Sequence, residues 1–116
     1  MAVEDIDDVI KDFLIESHEG LDQVERDLVE LEEADSPELC ARVFRVVHTL
    51  KGTCGFLGMQ KLERLAHVGE NLLSKIRDGE LAVTPARTTA LLSMADAIRE
   101  ILRRVEATGE EGDADV

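Results

Sequence analysis

The chain has 116 residues and a formal net charge of −13, a length suited to one domain and a charge that opposes binding to DNA, RNA or anionic membrane surfaces. Hydrophobic residues make up 44% but aromatics only 3%, with no Trp or Tyr, so the core must be aliphatic, which favours an all-helical bundle over a β-sandwich. No run approaches the roughly 18 uninterrupted apolar residues of a membrane span, and Met1-Ala2-Val3-Glu4-Asp5 lacks the basic and apolar regions of a secretory signal; a cytoplasmic location is expected.

Apolar residues at three- and four-residue steps predict a long first helix from about Asp5 to Glu33. Its stripe is Ile6, Val9, Ile10, Phe13, Ser17, Leu21, Val24, Leu28 and Leu31, and the acidic Glu4, Asp5, Asp7 and Asp8 suit the positive end of its dipole. His18 lies beside the stripe with no evident partner and reads as a solvated or rim residue. Ser36 or Asp35 can cap a second helix, with Pro37 at its first position. That helix runs to Phe56 or Leu57, where Gly58 supplies a left-handed stop. Its buried face is Leu39, Val43, Val46, Val47, Leu50, Cys54 and Leu57. The cysteines, Cys40 and Cys54, are fourteen residues apart on this helix, roughly 21 Å at 1.5 Å per residue, whereas a disulfide needs Cα atoms within about 7 Å. Cys54 reads as a core residue and Cys40 as an unremarkable thiol near the helix start.

A third helix, from about Gln60 to Asp78, carries Leu62, Leu65, Ala66, Gly69, Leu72, Leu73 and Ile76 on one face. The few residues linking it to the second make the two antiparallel neighbours. After the link Glu80–Val83, Thr84 and Pro85 open a fourth helix with stripe Leu91, Leu92, Ala95, Ile98, Leu102 and Val105, ending near Thr108. Residues 1–108 thus read as an antiparallel up-down-up-down four-helix bundle, each stripe as wide as one bundle needs, so a monomer is expected. The acidic segment 109–116 reads as a disordered linker, and such a tail suggests a piece of a longer chain.

The informative stretch is His48-Thr49-Leu50-Lys51-Gly52-Thr53-Cys54-Gly55-Phe56-Leu57-Gly58. His48 falls off the apolar stripe, at the helix surface. Phe44 precedes it by one turn on its side of the helix, at a docking surface or packed at the edge. Lys51 and Gly52 lie one turn beyond it, and Gly55 two turns beyond. Each glycine inside a helix costs about 1 kcal/mol relative to Ala; a use for Gly52 and Gly55 is clearance for another protein's approach to the imidazole. An exposed His with a cation beside it suits a group that receives and passes on a phosphoryl, Lys51 offsetting the charge on the phosphoryl oxygens. On the third helix, His67 and Glu70 share a face at the edge of the apolar stripe, where Glu70 can meet His48. A carboxylate accepting from one ring nitrogen would leave the lone pair on the other.

His48-Thr49-Leu50-Lys51-Gly52 followed by Gly58 resembles the His-x-Leu-Lys-Gly signature of histidine-containing phosphotransfer (HPt) domains, most closely the N-terminal P1 domain of CheA-type chemotaxis histidine kinases. Leu65-Ala66-His67-Val68-Gly69-Glu70 is a second match, and the resemblance covers roughly residues 5 to 107. It implies a four-helix bundle in which His48 is phosphorylated through Nε2, Glu70 bonds its Nδ1, and Lys51 and His67 flank the site. The implied partners are a histidine kinase ATP-binding domain and a response-regulator receiver domain, which hold the ATP and Mg²⁺; no cofactor is expected in this domain.

Two other readings of the same class of fold are a free-standing relay protein between receivers and a non-catalytic helical adaptor. A metal site fits less well: His48, His67, Glu70 and Cys54 include ligand types, but Cys54 belongs on the core side, and a di-iron bundle needs paired Glu-x-x-His motifs. No Ser-His-acid or Cys-His grouping suggests a hydrolase, and no Gly-rich phosphate loop suggests an ATP site, so the chain is not expected to phosphorylate itself unaided.

Overall fold

The apolar stripes become four helices in the computed structural model: α1 (Val3–Ala34), α2 (Pro37–Phe56), α3 (Gln60–Arg77) and α4 (Pro85–Thr108). The structure describes residues 3–34, 36–109 and 111, with side chains from residue 8 onward. The Ile6 member of the first stripe, the side chains of Glu4, Asp5 and Asp7, and the alternative cap Asp35 lie outside the described residues.

Local chemistry sets the helix ends. The Ser36 hydroxyl accepts from the Leu39 amide at 3.4 Å, and the Thr84 hydroxyl from the Arg87 amide at 3.2 Å. A proline follows each cap, where its missing N–H has no helical partner to lose. Gly58 closes α2 at φ +75° and Gly109 closes α4 at φ +81°, a left-handed conformation that costs other residues more.

α1 packs against α2 and α4, and α3 packs against the same two helices. Cross-helix pairs run in opposite senses along each seam, as in Gly20 under Val46 and Asp27 beside Arg42, or Glu32 at Thr88 and Asp22 at Arg99. This is the antiparallel up-down-up-down bundle. The core is aliphatic, with Leu21, Val24, Leu28, Val43, Leu62 and Ile98 among its sealed side chains. The stripes shift at a few positions. Val9 is exposed and Leu14 is buried in its place, and Met59, Met94 and Ile101 join the core. Met94 lies against the α-carbon of Gly69, so a larger residue at 69 would displace its thioether.

Polar groups that the stripes omit are also buried, each with partners. Asp27 is 1% exposed and takes a two-pronged bond from Arg42, Nε to Oδ2 and Nη2 to Oδ1, both 2.8 Å, plus a third from Gln23 at 2.8 Å. The Arg42 bond lowers the carboxyl pKa; burial opposes this, and the Gln23 bond assists the lowering. Because the folded value is depressed, this stabilisation is complete above the ordinary carboxylate value near 3.9 and is lost as pH falls through Asp27's own lower value. Asp27→Ala is expected to lower unfolding free energy by about 1–3 kcal/mol, seen as an earlier urea midpoint at neutral pH. The variant's midpoint should also fall less steeply than the parent's below pH 4. Thr88, fully buried, holds its hydroxyl within hydrogen-bond reach of the Glu32 carboxylate and of the Thr84 and Pro85 carbonyls at the first turn of α4, any one of which can accept its single proton.

Three sequence expectations change. Cys40 stands near the start of α2 as expected but is not an unremarkable thiol: it is 2% exposed, with Sγ donating to the Leu73 carbonyl at 3.7 Å. His18 has partners, because Nε2 bonds Glu106 Oε1 at 2.8 Å and Nδ1 meets Arg99 Nη1 at 3.3 Å. The tail is not free of the bundle at Glu111, whose carboxylate accepts from the Lys61 and Leu62 amides at 3.3 and 2.7 Å. It thereby caps α3, whose own cap residue Met59 offers no side-chain acceptor. Residues 110 and 112–116, to which the expectation of disorder chiefly refers, lie outside the described residues. Cys54 is the core residue expected, and its thiol is pushed up to about 12, first by burial and then by Glu111 and Glu63.

Candidate functional site

The antiparallel seam of α2 and α3 brings His48 opposite Glu70. The α2 face that points away from the core presents His48, with its side chain 60% exposed, while Glu70 is 13% exposed at the seam. His48 Nδ1 stands 2.5 Å from Glu70 Oε2, and Lys51 Nζ stands 2.8 Å from Glu70 Oε1. One carboxylate therefore binds both α2 residues, an oxygen to each. With Nδ1 as the donor, the ring is the tautomer whose lone pair lies on Nε2. Nε2 takes no hydrogen bond among the described residues.

Burial alone would raise the Glu70 pKa. The hydrogen bond from Lys51, and after it the one from His48, outweigh burial and hold the carboxyl below its ordinary value. Glu70 thus stays an acceptor down through the ordinary glutamate value near 4.3, and its hold on both partners is lost only as pH falls through its own lower value.

The other predicted residues divide. Gly52 has open space where a side chain would begin, as clearance for a partner requires. Gly55 does not leave the same gap, since the Glu63 carboxylate occupies the position of its absent side chain. Phe44 packs at the edge of the site. It is half-buried, with its ring stacked on the His48 imidazole at a centroid distance of 5.7 Å and an interplanar angle of 11°. His67 is exposed one turn before Glu70, outside the hydrogen-bonded group. Lys51 spends one donor on Glu70, leaving two on its ammonium group.

Two residues were not read from the sequence. The Arg77 guanidinium carbon lies 4.4 Å from the Phe44 ring centroid. Phe56, at the end of α2, is 84% exposed on the side of the helix that carries His48 and Gly52. The four-residue steps from 44 through 48 and 52 to 56 were a signal for Phe56; Arg77 depends on how α3 is seated. Among the described residues no three His, Cys, Asp or Glu side chains converge as a metal-binding group, and no helix is long and apolar enough to cross a membrane.

Comparison with known proteins gives a consistent family. The model of the Hpt domain matches residues 8–106. The sensor histidine kinase CheAY of Helicobacter pylori is 36% identical over 110 residues, which is 94% of this chain but 14% of that protein. The chain thus spans about a seventh of the length of that curated relative. Among solved structures, the CheA phosphotransferase domain from Thermotoga maritima superposes with a TM-score of 0.82 at 30% identity, over 85% of this chain and 95% of that one. The phosphorylated P1 domain of CheA3 in complex with CheY6 from R. sphaeroides superposes with a TM-score of 0.83 at 28% identity, over 90% of this chain and 82% of that one.

Proposed function

The chain belongs to the Hpt domain family, and from that membership we propose that it is the phosphoacceptor domain of a two-component histidine kinase. In this reading His48 takes the γ-phosphoryl group of ATP held by a kinase domain and gives it to an aspartate of a response-regulator receiver domain. The observation that carries the proposal is the exposed His48 ring with Nδ1 tied to Glu70 at 2.5 Å and Nε2 unbonded among the described residues. ATP and Mg²⁺ belong to the partner domains, and this domain supplies no cofactor. A P1 domain bound to CheY6 among its structural neighbours supports a receiver as the second partner. The same kinship supports a cytoplasmic setting, in chemotaxis signalling.

The chemistry follows from the tautomer. The Nε2 lone pair attacks the γ-phosphorus, the bond from phosphorus to the ADP oxygen breaks, and ADP leaves with that electron pair. The ring, still carrying its Nδ1 proton, becomes an imidazolium beside the Glu70 carboxylate, which stabilises the positive charge as it forms. Lys51 directs its remaining donors to the phosphoryl oxygens. In the second step a carboxylate oxygen of the receiver attacks phosphorus, and the P–Nε2 bond returns its electrons to the ring. The imidazole leaves neutral, with Nδ1 protonated as at the start. Glu70 need not gain or lose a proton in either step. Gly52 and the exposed Phe56 form the approach, one giving room and the other an apolar contact.

The test is transfer in sequence. Incubation with Mg²⁺, γ-labelled ATP and a CheA-type kinase domain should give one acid-labile, base-stable phosphoryl group, assigned to His48 Nε2 by ¹⁵N–³¹P coupling. Adding a receiver domain should discharge it. A protein that takes up no label from any such kinase domain, or whose label sits elsewhere, would refute the reading.

A further inference from the structure

The Glu70 bond holds His48 at a single nitrogen. A ring fixed at one atom can still rock about that contact, because hydrogen-bond directions at a carboxylate are broad. On a side chain that is 60% exposed, little else opposes such rocking. Phe44 does. It stands one turn before His48 on the same face of α2, with its ring within 11° of parallel to the imidazole. Phe44 is in turn held from the neighbouring helix, since Arg77, the last residue of α3, lies over its ring at 4.4 Å. Arg77 Nε also donates to Asp78 at 3.2 Å, which steadies the guanidinium at the start of the turn.

We propose that Phe44, clamped by Arg77, is a positioning residue for His48: the phenyl ring sets the plane of the imidazole while Glu70 sets its rotation within that plane. Together the two contacts aim the Nε2 lone pair in one direction. Phe44 touches neither phosphorus nor its oxygens. The consequence for catalysis rests on the phosphotransfer reading above, whereas the control of ring orientation can be measured with no partner protein.

Phosphoramidate is the partner-free probe. Nε2 attacks its phosphorus, the P–N bond to the ammonium nitrogen breaks, and ammonia leaves with the electron pair, so the ring ends as the same phosphoimidazolium. Phe44→Leu is expected to slow this labelling of His48 roughly three- to tenfold, the range that a stacked aromatic pair controls. Arg77→Met should slow it less, and Phe44→Tyr should restore the parent rate. Ring ¹⁵N relaxation of His48 should show greater mobility in Phe44→Leu, with the Nδ1–H tautomer retained. With a kinase domain, kcat should fall and KM should hold.

Equal phosphoramidate rates and equal ring mobility in parent and a folded Phe44→Leu would overturn the proposal. A raised KM with an unchanged phosphoramidate rate would also overturn it, by assigning Phe44 to partner docking. If Phe44→Leu fails to fold, Arg77→Met, altered at an exposed side chain, decides: slower labelling with looser ring motion supports the clamp, and parental values in both refute it. A parent that no kinase domain labels, but whose phosphoramidate labelling depends on Phe44, would refute the phosphotransfer reading and leave the positioning role standing.

Discussion

His48→Gln is expected to take up no phosphoryl group from ATP and a kinase domain, a complete loss where the parent reaches one group per chain. Gln offers an amide nitrogen whose lone pair is delocalised into the carbonyl, so it supplies no nucleophile at this position. The fold should be unaffected, because His48 is largely exposed and contributes nothing to the aliphatic core. The check is acid-labile incorporation beside a circular-dichroism melt of both proteins. Labelling of the variant at the parent's rate would place the chemistry elsewhere in the chain.

The second large effect concerns Glu70. Glu70→Ala is expected to slow phosphorylation of His48 about 10- to 100-fold, at the lower end of what an orienting carboxylate supplies to a catalytic imidazole. Two losses combine. The lone pair is no longer directed to Nε2, and the imidazolium forms without a negative charge 2.5 Å from Nδ1. Glu70→Gln separates them, because its carbonyl oxygen can still accept from Nδ1–H but carries no charge; it should fall between parent and Ala. Lys51 loses its partner in both variants. Single-turnover labelling at saturating kinase measures the step directly. A Glu70→Ala rate equal to the parent's would make Glu70 a bystander, while an unfolded Glu70→Ala would show that its role is structural.

Much of this was legible before any coordinates, for identifiable reasons. Helix stripes follow a 3.6-residue period, so the aliphatic core residues of α2 and α3 announce themselves along the chain. Ser36-Pro37 and Thr84-Pro85 are short-range signals, as is Gly58, and all three act where expected. His48, Lys51 and Glu70 were found because a local motif and a short α2–α3 link together determine which faces meet. What escaped is tertiary. Asp27 follows Val24 by one turn on a stripe of apolar residues, and only Arg42 on the next helix explains why a carboxylate can sit there. Thr88 depends likewise on Glu32, and His18 on α4. Phe44 was placed on the right face but with its neighbours unread. Its ring is covered by Arg77, which α3 delivers from across the seam. Gly55 and Gly52 look equivalent in sequence, yet one is filled by Glu63 and the other is not.

The empty space at Gly52 has an evolutionary meaning. Nothing among the described residues would collide with a methyl group there, and an alanine would make the helix harder to melt. A screen that ranks variants by thermal endurance would therefore choose alanine and discard the native residue. In the phosphotransfer reading proposed above, what the glycine satisfies is the shape of a different molecule, so selection at this position would be seen only when that molecule is present.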